Sequence, residues 1–389
     1  MKVALAHDFL IKWGGAEKVL FDLHKIFPEA PIYTLFYNKK FVQDRFPNAK
    51  INTSGLQRKY NLFRRSYRWL LPWMPLATES MDFSSYDLVI SSSSAFLRGI
   101  IVPVKTKHIC YMHTPTRWAW QDRPLATSLR MNLVKRLYIH LYRLWDFDAA
   151  QRPDMLIANS KYTAQRIEKY YKRRARIVYP GVERISNSQF LISNQFPISN
   201  DKIQTSNFKL PTSKYFVVVS RLSAYKKIDL IVEAFKDLPF NLVIVGDGIE
   251  LRRMKSEVRS RKLEDRIFFT GFIKDKVIIA KLIENSIALI HLTEEDFGIC
   301  MAEALVLGKP VIGFEKGGAR EIIKKGYNGE LIGGKNNKEI TNNLKNTVKK
   351  LALNEKKYII SIGKENNGIF SGEKFTKAII NLTKTTINT

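Results

Sequence analysis

Two hydrophobic periods alternate along most of the chain. Short apolar runs that end at glycine, proline or polar residues predict buried strands, whereas apolar residues three and four positions apart predict helices. In the first part of the chain the strand-like runs are 2–6, 31–36, 88–92, 99–104, 108–112, 155–158 and 176–178. The helix-like segments there are 16–26, 131–145 and 162–171. Such alternation predicts parallel strands joined by right-handed crossovers, and therefore an α/β fold.

The same alternation returns in the second part of the chain. Strand-like runs lie at 215–220, 241–245, 267–269, 286–291 and 311–314. Helix-like segments lie at 228–235, 250–261, 275–283 and 299–306. After Gly329 the sequence is rich in lysine and asparagine and poorly patterned, until helical spacing returns at 374–382.

A change in composition separates the two parts. Residues 184–213 nearly repeat an Ile-Ser-Asn pattern without helical period, which is typical of a low-complexity linker that is mobile and not catalytic. A chain of 389 residues exceeds the usual size of one core, so two domains are expected. We therefore assign a first domain (1–182), a linker or insertion (183–213), a second domain (214–370) and a C-terminal tail (371–389).

Composition favours a globular protein of a reducing compartment. Hydrophobic residues make up 45% of the chain, enough for packed cores. Cys110 and Cys300 are the only cysteines, which rules out a zinc cluster, argues against a disulfide framework and favours the cytoplasm. His7 and Asp8 interrupt the first apolar stretch, so it does not read as a signal peptide. No apolar run approaches the ~18–20 residues that a membrane span needs.

Two carboxylates mark the candidate chemistry of the second domain. Glu295 precedes a predicted helix and Glu303 lies inside it among apolar neighbours. Asp296 occupies the expected N-cap, so that Phe297 and Gly298 would open the first turn and offer backbone N–H groups to a phosphate. Glu303 needs a hydrogen-bonding partner such as a sugar diol, unless its helix face is exposed. Glu295 could also simply be an acidic residue that favours the helix start.

Two cations follow the first strand-like run of the second domain. Arg221 and Lys226 come after an apolar run that ends at Val219. Open α/β sheets bind ligands at the carboxyl ends of their strands. Two cations there suit a diphosphate, because they would neutralise the charge on a departing nucleotide. The alternative is a solvated loop.

The first domain also places polar residues after its strand-like runs. His7 and Asp8 follow the first run and could lie near an acceptor substrate, the molecule that receives a transferred group. Gly15 opens the next helix, either as a plain turn or to let the backbone approach a diphosphate or an acceptor closely.

A second group of candidates in the first domain follows the run at 108–112. His113 would lie at the carboxyl end of that strand, facing a ligand, although a buried core histidine is the alternative. Arg117 and Asp122 lie close behind and are candidates for contacts with an acceptor or a phosphate.

Several other chemistries find no support. The glycine turn before 16–26 lacks the G-x-G-x-x-G fingerprint of dinucleotide binding. Asp146 and Asp148 form an Asp-x-Asp pair, but it follows a helix, so we assign it a structural role and expect neither a metal nor a cofactor. No Ser-His-Asp or Cys-His arrangement stands out. No nucleic-acid-binding motif accompanies the basic charge.

Taken together and in order, these residues resemble the retaining glycosyltransferases of family 4. The spacing of Glu295 and Glu303 around Asp-Phe-Gly is similar to that family's donor-site motif, and Gly246 begins a similar Gly-Asp-Gly loop. Arg221 and Lys226 are similar to its donor-phosphate pair. Motifs at 7–8, 14–17, 113–115, 159–160 and 179–182 resemble the mannosyltransferases that build O-antigen and related polysaccharides.

This resemblance implies a GT-B fold, with two Rossmann-like domains facing across a cleft. The first domain would bind the acceptor and the second a sugar nucleotide, and the helix at 374–382 would return to the first domain. By resemblance, Glu295 holds hydroxyls of the donor sugar, Glu303 holds the ribose and His113 touches the donor sugar. The implied catalytic residues are Arg221, Lys226, Glu295 and His113. The further donor-binding residues are Phe297, Gly298, Gly246 and Gly15.

The expected activity is transfer of a hexose with retention of anomeric configuration and without a metal. The resemblance favours GDP-mannose as donor and a polyprenyl-diphosphate-linked glycan at the inner leaflet as acceptor. Two other classes stay open. A GT-B sugar-nucleotide epimerase would need no acceptor. A nucleic-acid-binding protein would explain the net charge of +28, but it would leave Glu295 and Glu303 without a purpose, so no nucleic-acid partner is expected.

The charge also points to a membrane surface. Residues 58–74 and 130–145 interleave Arg and Lys with aromatic and aliphatic residues and contain no carboxylate. The second stretch would place Arg136, His140 and Arg143 on one helical face and Val134, Leu137, Leu141 and Trp145 on another. Such segments can bind an anionic inner leaflet. The alternative is that their apolar faces pack on the sheet while the charges face water.

Overall fold

The computed structural model describes residues 1–62, 67–120, 133–183, 213–364 and 367–388. The chain divides into a first unit, Met1–Gly181 with Gly372–Thr389, and a second unit, Val182–Ser371. Of the predicted linker, only the two end residues are among those described. None of the described helices combines the length and the apolar character that crossing a membrane requires.

The first unit is built on a parallel sheet. Its described strands are β1 (Val3–His7), β2 (Ile32–Thr34), β3 (Ile51–Thr53), β4 (Leu88–Ser93), β5 (Lys107–Met112), β6 (Met155–Ala158) and β7 (Arg176–Ile177). They lie in the order β3-β2-β1-β4-β5-β6-β7. Strand β1 runs between β2 and β4, with Leu5 opposite Ile32 and Ile90. Strands covered on both faces read as continuous apolar runs, which is why the sequence revealed most of them.

Helices cover the faces of this sheet. The described ones are α1 (Gly15–Ile26), α2 (Lys39–Arg45), α3 (Leu56–Leu62), α4 (Met74–Glu79), α5 (Arg117–Trp120), α6 (Leu133–Ala149) and α7 (Lys161–Tyr171). Short 3-10 turns lie at Tyr67–Trp73 and Leu97–Gly99. The Ser160 hydroxyl caps α7 by accepting a hydrogen bond from the Thr163 N–H.

The second unit repeats the architecture. Its described strands are β8 (Tyr215–Val219), β9 (Asn241–Val245), β10 (Ile267–Gly271), β11 (Leu289–His291), β12 (Val311–Phe314) and β13 (Gly329–Ile332). Its described helices are α8 (Ile228–Phe235), α9 (Leu251–Ser260), α10 (Lys276–Glu284), α11 (Ile299–Val306), α12 (Ala319–Ile322), α13 (Asn337–Leu353) and α14 (Glu355–Lys364), with 3-10 turns at Ala224–Lys226 and Asn367–Phe370. The strands are parallel and lie in the order β10-β9-β8-β11-β12-β13.

The last helix, α15 (Gly372–Asn388), belongs to the first unit. It packs against α1 and β5, and Phe375 and Ile379 are buried in the core that α1 covers. Gly181 makes this packing possible, because a Cβ there would lie 2.9 Å from the Gly372 Cα.

The structure corrects two parts of the sequence interpretation. Residues 99–104 were predicted to form a strand, but they form the connection after a 3-10 turn. Strand β4 pairs directly with β5, which leaves no position for another strand between them, and Ile101 and Val104 are exposed. Beyond Gly329, where the sequence looked unpatterned, β13 and α13 are well formed, and Ile340, Leu344 and Val348 of α13 are buried.

A buried ion pair holds part of the first unit together. Arg98 and Asp146 are both fully buried, with 3.6 Å between the Arg98 Nη1 and the Asp146 Oδ1. Asp146 also accepts hydrogen bonds from the Trp120 indole N–H at 2.6 Å and from the Tyr171 hydroxyl at 2.7 Å. Arg98 donates to Tyr171 and, at 3.1 Å, to Thr116. Asp146 of the Asp-x-Asp pair therefore has a structural role.

This ion pair makes a prediction about stability. We expect Asp146→Asn to lower the free energy of unfolding by about 3–5 kcal/mol, because it leaves the Arg98 charge buried without its counter-charge. Asp148→Asn is the matched control: Asp148 is exposed, so its replacement should change stability by less than about 0.5 kcal/mol. Denaturant titration followed by tryptophan fluorescence measures both, and equal stability of the two variants would contradict the assignment.

Candidate active site

The order of strands in the second unit singles out one place for a ligand. From β8 the chain moves outward to β9 and β10, and from β11 it moves outward in the opposite direction to β12 and β13. The order of strands therefore reverses between β8 and β11. Crevices outside the carboxyl ends of strands at such a switch point are where open α/β sheets bind ligands. The segments after β8 and β11 carry Arg221, Lys226 and Glu295, the residues that the sequence singled out.

Glycines hold the Arg221 loop against the neighbouring loop. The Ser220 N–H donates to the Val245 carbonyl and the Leu222 N–H to the Asp247 carbonyl, each at 3.0 Å. Gly246 has φ +140°, and a Cβ there would lie 1.9 Å from the Ser220 carbonyl oxygen. Only glycine fits such an approach. The Gly-Asp-Gly loop therefore supports the backbone that presents Arg221.

The two segments that flank the switch point meet through an ion pair. The Lys226 ammonium contacts the Glu295 carboxylate, and both side chains are largely buried. The Thr293 hydroxyl donates to the Lys226 carbonyl at 3.3 Å and adds a second link between the segments. Arg221, by contrast, is exposed, and its guanidinium has no partner among the residues that the structure describes. One cation is therefore fixed by Glu295, while the other is available to an anionic ligand.

The loop before α11 is held in place by its neighbour after β12. The backbone carbonyl of Glu295 accepts a hydrogen bond from the Gly318 N–H at 2.8 Å. Gly317 has φ +70°, and a Cβ on it would lie 2.3 Å from the Glu295 carbonyl oxygen. The prediction that Asp296 is the N-cap is wrong, because the helix begins at Ile299 and its N-cap is Gly298. Gly298, at φ +94°, delays the helix start by two residues.

The remaining predicted donor residues occupy different environments. Glu303 lies on α11 and is half-buried between buried Ala302 and Ala304. The Phe297 side chain is buried against the ring of Phe370, with 5.6 Å between the ring centroids. Any contact of Phe297 with a ligand must therefore use its backbone.

The structure also reveals a pair that the sequence reading missed. No Cys-His arrangement was predicted, but the Cys300 Sγ lies 3.5 Å from the His291 Nδ1. The other ring nitrogen of His291 lies 3.7 Å from a Glu295 carboxylate oxygen. Burial disfavours the imidazolium, but Cys300 and Glu295 outweigh it and raise the pKa of His291 from 6.5 to about 9. The nine-residue spacing between His291 and Cys300 does not indicate a contact in the sequence, because a loop and the start of a helix lie between them.

The first unit has its own switch point between β1 and β4. There the Ser92 hydroxyl lies 3.2 Å from the His7 Nδ1 and 2.8 Å from the His113 Nε2. Glu17 approaches the other nitrogen of His7, at 3.7 Å. Burial and the proximity of His7 lower the pKa of His113 from 6.5 to about 3, so that His113 is neutral at physiological pH. The predicted residues His7 and His113 are thus brought together through Ser92, which the sequence did not single out.

The other candidates of the first unit lie in distinct places. The Asp8 carboxylate accepts four backbone N–H bonds, from residues 94–97, and one hydroxyl bond from Ser93. Asp8 therefore holds the turn that follows β4 in place. Gly15 is the first residue of α1, and Arg117, half-buried, is the first of α5. Asp122 lies outside the described residues.

Within the described ranges, no three His, Cys, Asp or Glu side chains come together in a way that could hold a metal ion.

Comparison with known families matches both halves of the chain. The family described as Glycosyltransferase Family 4 matches residues 13–184, and the family described as Glycosyl transferases group 1 matches residues 199–365. Together the two matches cover most of the chain.

Individual relatives agree with these matches. An uncharacterized glycosyltransferase of Methanocaldococcus jannaschii is 25% identical over 96% of this chain and 95% of its own. The alpha-1,3/1,6-mannosyltransferase of Schizosaccharomyces pombe is 24% identical over 85% of this chain and 70% of its own.

Solved structures show the same fold. The Anabaena protein HepE in complex with UDP-glucose superposes with a TM-score of 0.69 over 99% of this chain and 100% of its own, at 19% identity. Sucrose-phosphate synthase from Thermosynechococcus elongatus superposes with a TM-score of 0.68 over 99% of each chain, at 16% identity. The predicted GT-B architecture of two Rossmann-like domains is therefore confirmed. The family matches over residues 13–184 and 199–365 confirm the resemblance to the glycosyltransferases of family 4.

Proposed function

We propose that this glycosyltransferase moves a hexose from a sugar nucleotide to a lipid-linked or polysaccharide acceptor, with retention of anomeric configuration. The observation that carries the proposal is the meeting of Lys226 and Glu295 at the switch point of the second unit, beside the exposed Arg221. Two cations suit the diphosphate, and a fixed carboxylate suits the sugar hydroxyls. Glu303, one helical turn into α11, would hold the ribose.

The reaction follows from this assignment of groups. The acceptor hydroxyl oxygen forms a bond to the anomeric carbon on the face from which the diphosphate departs. The bond between the anomeric carbon and the phosphate oxygen breaks, and that oxygen takes the acceptor proton. Arg221, Lys226 and the backbone at the start of α11 stabilise the negative charge of the leaving group. Because His113 is neutral and buried, it suits a hydrogen bond to a sugar hydroxyl rather than to a phosphate.

The donor and acceptor are the finer part of the proposal. The similarity to a yeast mannosyltransferase favours mannose, with GDP-mannose as donor and a polyprenyl-diphosphate-linked glycan as acceptor. HepE is described in complex with UDP-glucose, so UDP-glucose is the first competitor to test.

Product analysis with each donor, with and without acceptor, tests the proposed reaction. A new α-mannoside formed only with acceptor is expected. Conversion of the donor to another sugar nucleotide without acceptor would instead establish an epimerase. The proposal includes no divalent metal, because Arg221 and Lys226 occupy the place where a metal would neutralise the diphosphate. Transfer that stops in EDTA and returns with magnesium or manganese would overturn that part.

We further propose that the first unit binds an anionic membrane surface. Helix α6 exposes Leu133, Val134, Leu137, Leu141 and Leu144, with Leu137 and Leu141 at 56% and 54% exposure. Its opposite side carries Ile139 and Tyr142 into the core. The exposed leucines recur at helical spacing, so they form one continuous apolar stripe.

The surroundings of this stripe favour a lipid surface over a protein partner. Arg136 and His140 are exposed on the same helix, and residues 133–145 include no carboxylate. Trp69 and Trp73 of the 3-10 turn at Tyr67–Trp73 are also exposed, at 78% and 53%. Exposed aromatic and basic side chains, together with an apolar stripe, are the composition of interfacial segments. The alternative, in which these leucines pack on the sheet, does not fit their exposure.

The phosphate assignment predicts a specific loss of turnover. Arg221→Ala and Lys226→Ala should each raise the turnover barrier by roughly 2–4 kcal/mol, because each removes charge stabilisation of the leaving group. Arg259→Ala, an exposed arginine on α9 of the same unit, is the control and should turn over normally. The measurement is the initial rate at saturating donor; a near-normal rate in either variant removes that residue from its role.

The two carboxylates should separate binding from transfer. Glu303→Gln should weaken binding of the bare nucleoside diphosphate by roughly 1–3 kcal/mol, since it loses a charged hydrogen-bond acceptor for the ribose. Glu295→Gln should mainly slow transfer, because Glu295 is assigned to the hydroxyls of the donor sugar and not to the nucleotide. Calorimetry with the nucleoside diphosphate measures the first effect and initial rates the second. Equal nucleotide affinity in the two variants would make the ribose assignment of Glu303 wrong.

The membrane proposal predicts binding to vesicles that contain anionic lipid. The double variant Leu137→Ser, Leu141→Ser should bind them at least about tenfold more weakly, because two apolar side chains no longer leave water. Leu353→Ser, an exposed leucine at the end of α13 in the second unit, is the matched control. Salt should weaken binding of the unmodified protein. Co-flotation with vesicles measures the double variant, the control variant and the effect of salt. If the protein floated equally with neutral and anionic vesicles, the electrostatic part of the proposal would be contradicted.

A further inference from the structure

Two side chains beside Glu295, those of His291 and Cys300, have no role in the proposed transfer reaction. The Cys300 Sγ lies 3.5 Å from the His291 Nδ1, and the His291 Nε2 lies 3.7 Å from the Glu295 Oε1. His291 ends strand β11, and Cys300 lies in the first turn of α11. The strand end and the helix start therefore fix the imidazole between the thiol and the carboxylate.

The imidazole is placed to activate the thiol. His291 is 5% exposed, and its Nε2 has no hydrogen-bond partner among the described residues. At 3.7 Å the Glu295 carboxylate is too far for a hydrogen bond, but it is close enough to stabilise a positive charge on the ring. An imidazolium next to a thiol favours the thiolate, which is the nucleophilic form.

Accessibility distinguishes Cys300 from the other cysteine of the chain. Cys300 is half-buried, whereas Cys110 is fully buried in the first unit. Burial raises the pKa of the Cys110 thiol to about 11. A thiol reagent should therefore react with the folded protein at Cys300 and not at Cys110.

We propose that Cys300 is a site of reversible modification by low-molecular-weight disulfides, and that the mixed disulfide closes the donor site. The Cys300 thiol loses its proton to solvent beside the imidazolium of His291, and the Cys300 sulfur forms a bond to one sulfur of the reagent. The reagent's own sulfur–sulfur bond breaks, and its other half leaves as a thiolate. A dithiol such as dithiothreitol reverses the exchange and restores the free thiol.

The position of Cys300 explains why an adduct would interfere with the donor. It lies two residues beyond Gly298, the N-cap of α11, where the proposed function places the diphosphate. The modified side chain would occupy that space, and His291 would lose its sulfur partner beside Glu295. This consequence rests on the proposed function, whereas the reactivity of the thiol does not.

The reactivity is tested with the aromatic disulfide dithionitrobenzoate on the full chain. The native protein should release one equivalent of nitrothiobenzoate, and Cys110→Ala should behave identically. Cys300→Ser should release none. His291→Asn should react about tenfold more slowly near pH 7, because the thiolate loses the neighbouring imidazolium that stabilises its charge. An unchanged rate in His291→Asn, or reaction at Cys110 instead, would overturn the proposal.

The consequence is tested with oxidised glutathione and with GDP and UDP as probes. The glutathione adduct should abolish the calorimetric binding signal, dithiothreitol should restore it, and Cys300→Ser should bind nucleotide with or without the treatment. A bound nucleotide should also slow the reaction of Cys300. An adduct that binds nucleotide as tightly as the free thiol would overturn the closure of the site. If neither nucleotide binds the untreated protein, the proposed function fails, while thiol reactivity is judged from the dithionitrobenzoate rates.

Discussion

The contact between Lys226 and Glu295 is the constraint on which the candidate site depends. It joins the segment after β8 to the segment after β11, and these are the two strands between which the order of the sheet reverses. Both charges are largely removed from water, so each needs the other: loss of one leaves a partly buried charge without compensation. Because Lys226 is paired with Glu295, the proposed function makes the exposed Arg221 the first cation that an incoming diphosphate would meet.

Glycine positions translate this constraint into backbone geometry. Gly246 and Gly317 each approach the backbone of a neighbouring loop so closely that any side chain would collide with a carbonyl oxygen. The first contact joins the loops after β8 and β9, and the second joins the loops after β11 and β12. The contact between Lys226 and Glu295 links the two pairs of loops. The charged side chains are then carried by backbone that cannot shift independently. Fixed geometry of this kind is what electrostatic stabilisation of a leaving group requires.

The sequence predicted the strands better than the relations between side chains. Buried parallel strands are apolar without interruption, so runs such as 241–245 and 311–314 were found with their observed bounds. The segment 99–104 was apolar for another reason: it connects β4 to β5, and nothing in its sequence shows that β4 already pairs with β5. Helix α13 was missed although its buried residues recur at helical spacing, because the many lysines and asparagines of its other faces gave the segment a polar composition overall.

Relations between candidate residues could be predicted where the residues share one segment of the chain, and were missed where they do not. Glu295 and Glu303 lie on one loop and the helix that follows it, so their spacing alone assigns them to the same segment. The Arg98–Asp146 pair and the Ser92 link between His7 and His113 join positions far apart in the chain. Only the order of strands in the sheet brings these residues together, and the sequence does not show that order. The prediction of Asp296 as N-cap was wrong for a local reason: Gly298 adopts a positive φ, and the helix therefore starts two residues later than predicted.

The central claim is that the switch point of the second unit binds the diphosphate of a sugar nucleotide. A thermal-shift titration of the full chain against nucleoside diphosphates and the corresponding nucleosides tests it most directly. A ligand at one hundred times its dissociation constant stabilises the folded state by about 2.7 kcal/mol, so a cognate nucleoside diphosphate should raise the melting temperature by several degrees. The corresponding nucleoside should have little effect. No shift with any nucleoside diphosphate, or an equal shift with its phosphate-free nucleoside, would contradict the account.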